Sequence, residues 1–380
     1  MEFRYDYEYL LHLISCYIHG TTPQEKPEGI SFENVFELGR LHEVANIAFL
    51  SVEKLKNKPA EETYNDWKIF YYFSAQRDEL QRAERRLILD ALHEKGIRTL
   101  EVQGSVMKKY YPSSELRMMS DLDFIVDPER LDKTGEILKG LGYSIRIPHE
   151  GELNAFNPNG TETEIHTEFF TPHMFNEIEM RYHNAVNRPF EHAAPSEDDP
   201  LEYIIDDTYF YLFSIVHILK HFETAGCGIR RILDIFYLKK HFSDKIDKDL
   251  VKRIIDENGM RENYNTVLEV EGMWFEKTAP TMDLSEAVRD IITSGNHGNS
   301  ELFRRNRIRK SRSEGVKFAK LKVLKNYIFP DREYIYMSYP ELRSRNYTLA
   351  QCRRYRFRMT LKNFRFSNII KFLKSLLRIK

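Results

Sequence analysis

Over residues 1–95 apolar positions recur every three or four residues, the period of a helix with one buried face. Tyr7 to Ile18 reads as one such helix, and Gly20 to Gly29, with its Thr and Pro, as a loop. Phe32 to Leu55 carries Val35, Leu38, Leu41, Val44 and Ile47 at helical spacing, with Gly39 inside the run as a candidate break. Glu62 to Glu94 predicts a long helix with Phe70, Phe73, Leu80, Leu87 and Ala91 near one apolar stripe. From Ile97 the pattern changes. Ile97 to Val102 predicts a strand, broken by Gly104 and Ser105. Val106 to Tyr111 predicts the first turns of a helix, and Asp121 to Val126 a second strand ending at Asp127-Pro128. Pro128 suits a first helical position, Glu129 to Leu141 is that helix, and Gly142 ends it. Tyr143 to Ile147 predicts a further strand. Leu153 to Asn157 and Thr161 to Phe169 flank Pro158-Asn159-Gly160 as the arms of a hairpin. The apolar and aromatic run Leu201 to Phe222 returns to helix. It breaks at Gly226-Cys227-Gly228 and resumes at Ile229, and 246–297 continues as helices. The expectation is an α+β chain: a helical region 1–95, an α/β core 96–195, a helical domain 196–300 that closes a cleft, and a C-terminal region 301–380.

Strand alternation turns this pattern into chemistry. Asp121 and Asp123 point to one face of their strand, Leu122 and Phe124 to the other. Two carboxylates side by side repel unless a cation lies between them, and hard oxygen ligands suit Mg2+ or Mn2+. Upstream, Gly104 lets backbone approach an anion closely, and Ser105 adds a hydroxyl at the start of the following helix. A calcium loop is excluded, because Val126 and an apolar run stand where the EF-hand needs glycine and polar ligands. On the second hairpin arm Glu162, Glu164, His166 and Glu168 share one face. Glu162 and Glu168 read as a solvated strand face.

Gly104-Ser105 followed by Asp121-x-Asp123 on a strand resembles the nucleotidyltransferase superfamily with its polymerase-beta-like fold. Tyr111-Pro112, Leu116-Arg117, Asp121-x-Asp123 and Glu164-x-His166 resemble in particular its branch of uncharacterised bacterial nucleotidyltransferases. So do His217, Lys220-His221, Gly228-Ile229-Arg230-Arg231 and Asp234, and, further on, Asn326 to Pro330 and Tyr336 to Pro340. The resemblance implies a small mixed sheet with helices, flanked by helical N- and C-terminal regions. It implies Asp121, Asp123 and Glu164 as the metal-binding catalytic carboxylates, with Gly104 and Ser105 at the phosphates. Gln103 departs from the lysine usual there, so a cation must come from elsewhere. Lys108 and Arg117 are near in sequence; Lys220, Arg230 and Arg231 would come from the second lobe. For these cations the bland reading is internal pairing, for example Arg230 or Arg231 with Asp234 one turn away. His166 is expected beside the carboxylates, as a hydrogen-bond partner more than as a ligand. His217 and His221 share one helix face, but Ile218 stands where a zinc metalloprotease needs glutamate, so they too read as supporting residues.

Composition adds limits and one question. At 42% hydrophobic and 30% charged residues the chain is globular. No stretch is long and apolar enough to span a membrane, the first residues hold no signal-peptide core, and Cys16, Cys227 and Cys352 are scattered. A reducing cytoplasm is expected. The net charge of −1 hides an asymmetry: from Glu301 onward there are 23 Lys and Arg against 5 Asp and Glu. Either two opposite faces pack on one another, or the C-terminal region offers a basic surface to nucleic acid, anionic lipid or a polyanionic substrate.

The function expected is magnesium-dependent transfer of a nucleoside monophosphate from a nucleoside triphosphate to a hydroxyl of a small molecule, a protein or transfer RNA. The alternative is a catalytically silent nucleic-acid-binding protein on the same fold. The basic C-terminal region favours that alternative; the intact carboxylate set opposes it.

Overall fold

The computed structural model describes residues 5–149, 151–158, 161–170 and 177–313, scattered positions from 317 to 345, and 347–362. Four helices open the chain: α1 (Asp6–Ile18), α2 (Phe32–Leu41), α3 (Ala45–Val52) and α4 (Glu61–Glu94). The expected run Phe32 to Leu55 is two helices. At Gly39 an added Cβ would lie 3.1 Å from Ala45, so the second helix turns back closely against the first. The turn passes through Glu43, which has φ 55°. Ser31 caps α2 by accepting from Asn34 N–H.

The long helix α4 falls where the periodicity puts it, but its buried face differs from the stripe read from sequence. Trp67, Ser74, Asp78, Gln81, Ile88 and Leu92 are buried, whereas Phe73, Leu80 and Leu87 are 47, 57 and 48% exposed. Buried polar side chains decide this: Asp78 and Gln81 bind Lys108, and Gln81 also donates to the Met119 carbonyl. Those bonds fix the rotation of the helix against the apolar count.

The core begins with β1 (Thr99–Glu101), the single turn α5 (Gly104–Met107) and β2 (Asp121–Ile125). It continues with α6 (Leu131–Gly140), β3 (Ser144–His149), β4 (Glu152–Phe156), β5 (Glu162–His166) and α7 (Glu177–Ala185). Two further strands, β6 (Ala193–Pro195) and β7 (Glu202–Ile205), complete a mixed seven-stranded sheet of order β3-β4-β5-β2-β1-β7-β6. β2 pairs parallel with β5 and antiparallel with β1, and β7 runs parallel to β1. The sheet therefore runs past residue 195, and the helix expected from Leu201 starts only at α8 (Asp207–Glu223). Tyr203, Ile204 and Ile205 suit a strand, and Asp206 caps the helix by accepting from Tyr209 N–H.

Helices α9 (Ile229–Phe242), α10 (Lys248–Glu257), α11 (Arg261–Glu271), α12 (Ser285–Ser294) and α13 (Ser300–Ser313) follow, and α14 (Leu349–Lys362) lies near the end. One face of the sheet, with Leu122, Phe124 and Ile165, packs on the end of α4 and on α6. The other face adjoins a larger core that α1, α3, α8, α9 and α11 share. The helices before and after the sheet thus form one packed body. Among the described residues no helix is long and apolar enough to cross a membrane. The hairpin turn Asn159-Gly160, most of Asn326 to Pro330 and Tyr336 to Pro340, and the basic stretch 363–380 lie outside the described residues.

Candidate active site

β2 and β5 set the site. Their parallel register places Asp121 beside Glu162 and Asp123 beside Glu164. Asp121, Asp123, Glu164 and His166 all line one cleft of about 440 Å³ between the sheet and the helices α8 and α9. Within it the ligand atoms of Asp123, Glu164 and His166 lie within 4.8 Å of one another. His166 Nε2 is 3.5 Å from Asp123 Oδ1 and 3.4 Å from Glu164 Oε2, and it makes no well-formed hydrogen bond to either. Asn154, facing Glu164 across the hairpin, donates to Glu164 Oε1 at 3.0 Å and fixes that carboxylate. Glu162 accepts from the same amide and is not part of the cleft wall. Glu152 stands opposite His166 in the hairpin and joins the wall, a placement the alternation could have given by counting back through the turn.

The acids are electrostatically costly. Burial and the neighbouring Asp121 push the Asp123 carboxyl up to about 7. Burial and Glu164 raise Asp121 as well. Burial works against a charged His166, yet Asp123 and Glu164 outweigh it and bring the imidazole up to about 10. A cluster that raises both aspartates and holds a proton on its histidine calls for positive charge at its centre. Its oxygen and imidazole donors fit a divalent cation.

The loop before α5 forms the floor. Gln103 has φ 54°, a left-handed backbone uncommon outside glycine, and its Nε2 reaches Asp123 Oδ1 at 3.4 Å. At Gly104 a Cβ would meet Arg117 Nη1 and Met119 Sδ at 2.9 Å, so only glycine fits there without displacement. Ser105, by contrast, is not part of this cleft; it faces a pocket on the opposite side, beside Lys108 and Arg82. Lys108 is there too, its ammonium paired with Asp78 at 2.7 Å and side chain buried. The geometry therefore gives neither Ser105 nor Lys108 to the phosphates in this arrangement. The single helical turn after Gly104 rotates both behind the sheet.

The cations come from the opposite wall. Arg117, Lys220, Arg230 and Arg231 all line the cleft, with His217 and His221 between them. Asp234 pairs with neither Arg230 nor Arg231: Arg117 takes it in a two-pronged bond of 3.1 and 2.9 Å, and Tyr111 donates to it at 2.7 Å. Arg230 instead binds Glu43 and the Met118 carbonyl. Arg231 Nη1 lies 3.5 Å from His217 Nδ1, and burial together with Arg230 brings its guanidinium down to about 10. His217 and His221 face each other at 3.1 Å. Burial and the cations around them keep both rings well below the usual histidine range, hence neutral. Lys220 Nζ stands 5.1 Å from the centre of the Phe170 ring. Phe169, Phe170, Tyr182, Asn296 and His297 complete the wall. Sequence reading missed these, because they are distant in the chain and no motif joins them to the carboxylates.

The model of the uncharacterised nucleotidyltransferase family matches residues 28–276, and the chain belongs to that family. It is a nucleotidyltransferase with an α+β fold and flanking helices. No curated protein matches it. A solved structure that is similar is the solution structure of the antibiotic-resistance factor ANT(2'')-Ia, at 10% identity and a TM-score of 0.36. The alignment covers 52% of this chain and 99% of that one.

Proposed function

We propose that the protein transfers a nucleoside monophosphate from a magnesium-bound nucleoside triphosphate to a hydroxyl group of an acceptor. The observation that carries this is one cleft with two opposed walls, acids on β2 and β5 and cations on α8 and α9. Asp123 and Glu164, with Asp121 and His166 beside them, would hold the ion. When bound, a divalent ion supplies charge neutralisation at the phosphate oxygens and lowers the pKa of an oxygen it holds. Lys220, Arg231 and Arg230 would balance the remaining triphosphate charge, as positioned donors do in phosphoryl transfer. Glu164, partly open to the cleft and held by Asn154, would take the proton of the attacking hydroxyl. The acceptor oxygen bonds to the α-phosphorus, and pyrophosphate departs with the electrons of the broken P–O bond. The neutral His217–His221 pair offers hydrogen bonds without adding charge. The three buried thiols suit a reducing cytoplasm.

The test uses two labels. The protein is incubated with a cell extract, magnesium and nucleotides labelled at either the α- or the γ-phosphorus. Label should pass to an extract component from the α position only, and Asp123→Asn should abolish it. Transfer of γ label would show a phosphoryl transferase instead.

A further inference from the structure

Glu43 lies far in sequence from every residue of the cleft, yet its carboxylate gathers three donors from the cleft wall. Arg230 Nη1 binds Oε2, Asn296 Nδ2 donates to Oε2 at 2.8 Å, and His297 Nε2 is 3.1 Å from Oε1. All three donors line the cleft, whereas Glu43 stands behind them. Its backbone sits in the left-handed region at φ 55°, where glycine would be unstrained and glutamate is not. Packing holds that strained turn in place: Asn296 N–H donates to the Leu41 carbonyl at 3.0 Å, and Gly295 abuts Leu41. Burial favours the neutral acid, but Arg230 and His297 bring Glu43 down to about 2, so it is charged at any working pH.

We propose that Glu43 is the counter-ion behind the phosphate cations: it fixes Arg230, Asn296 and His297 at the cleft wall and, through its charge, holds down the affinity for polyphosphate so that the product can leave. This rests on the nucleotide reading given above. A fixed negative charge one side chain away from the phosphates weakens their binding through a low-dielectric wall. The same carboxylate orients the arginine that attracts them. Glu43 is therefore a positioning residue, and removing its charge while keeping an acceptor for Arg230 should tighten anion binding.

The experiment is isothermal titration of the full chain with magnesium and either inorganic diphosphate or inorganic tripolyphosphate, for wild type and Glu43→Gln. The expected result is tripolyphosphate binding at least about threefold tighter in Glu43→Gln. That gain should be smaller for diphosphate, and it should shrink as salt rises from about 0.05 to 0.5 M. Glu43→Asn, which tolerates the left-handed backbone better and removes the charge while keeping an amide oxygen as acceptor, carries the test if Glu43→Gln does not fold. Equal or weaker binding in a folded variant, or tightening that ignores ligand charge and salt, overturns the proposal. If wild type binds neither probe with magnesium, the nucleotide reading fails, and the role of Glu43 fails with it.

Discussion

Asp123 and Glu164 are direct register partners on the parallel strands β2 and β5, with their carboxylates turned to the same cleft. Asp123 is 3% exposed and carries Asp121 two residues away. Asp123→Asn should therefore lower nucleotide transfer by about 100-fold or more, the order expected when a group that organises developing charge is lost. Its melting temperature should hold or rise, because a buried like-charge repulsion is removed. Thermal unfolding beside the transfer assay checks both. A fall in activity that tracks a fall in stability would make Asp123 a structural residue only.

Much of this site was legible because strand alternation is a short-range rule. A period of two turns Asp121 and Asp123 to one face, the family resemblance picks Glu164 and His166 out of their own strand face, and the structure puts all four on one cleft. Rotation about a helix was not legible. Lys108 and Ser105 turn behind the sheet after a single turn of α5, and α4 buries Asp78 and Gln81 in place of Phe73 and Leu80. In both cases a buried polar bond, Lys108 to Asp78, sets the orientation, and no apolar count contains it. Asn296 and His297 reach the cleft, and Glu43 the side chains behind its wall, through tertiary packing alone.

The cations of the cleft and the cation behind the sheet should separate by substitution. Arg231→Ala or Lys220→Ala should weaken magnesium–triphosphate binding by about tenfold or more, equal to about 1.4 kcal/mol, the size of a charge-assisted phosphate contact. Lys108→Ala should leave that affinity unchanged while costing about 1–3 kcal/mol of stability, because Asp78 loses its buried ammonium and keeps only the Ser114 hydroxyl and the more exposed Arg82. Titration calorimetry and urea unfolding of the three variants decide between this assignment and purely internal roles for Lys220 and Arg231.

His42 predicts an acid-side loss of stability. It is fully buried, accepts from Ile229 N–H at Nδ1 and faces the Ile292 carbonyl with Nε2, both at 3.1 Å. Burial brings its pKa down to about 4. The unfolded ring takes up its proton near 6.5, so the folded state binds fewer protons between those values. The stability contribution is complete above about 6.5 and is lost as pH falls towards 4, on the order of 2–3 kcal/mol. Urea midpoints at pH 7 and pH 4.5 should fall less in His42→Gln than in wild type.

On α4 the exposed and buried apolar positions should differ sharply. Ile88 is fully buried, and Ile88→Ala should cost about 2–5 kcal/mol. Leu80→Ala should change stability by no more than about 0.5 kcal/mol. Comparable losses at both positions would mean that Leu80 is covered in solution.

On the proposed function, the cleft binds a nucleoside triphosphate through a divalent ion held by Asp123 and Glu164. Isothermal titration of ATP, CTP, GTP and UTP, each with magnesium and again in excess chelator, tests it most directly. At least one nucleotide should bind with magnesium, and its binding should fall at least about tenfold in chelator and in the Asp123→Asn, Glu164→Gln double variant. Equal affinity in magnesium and in chelator would contradict it.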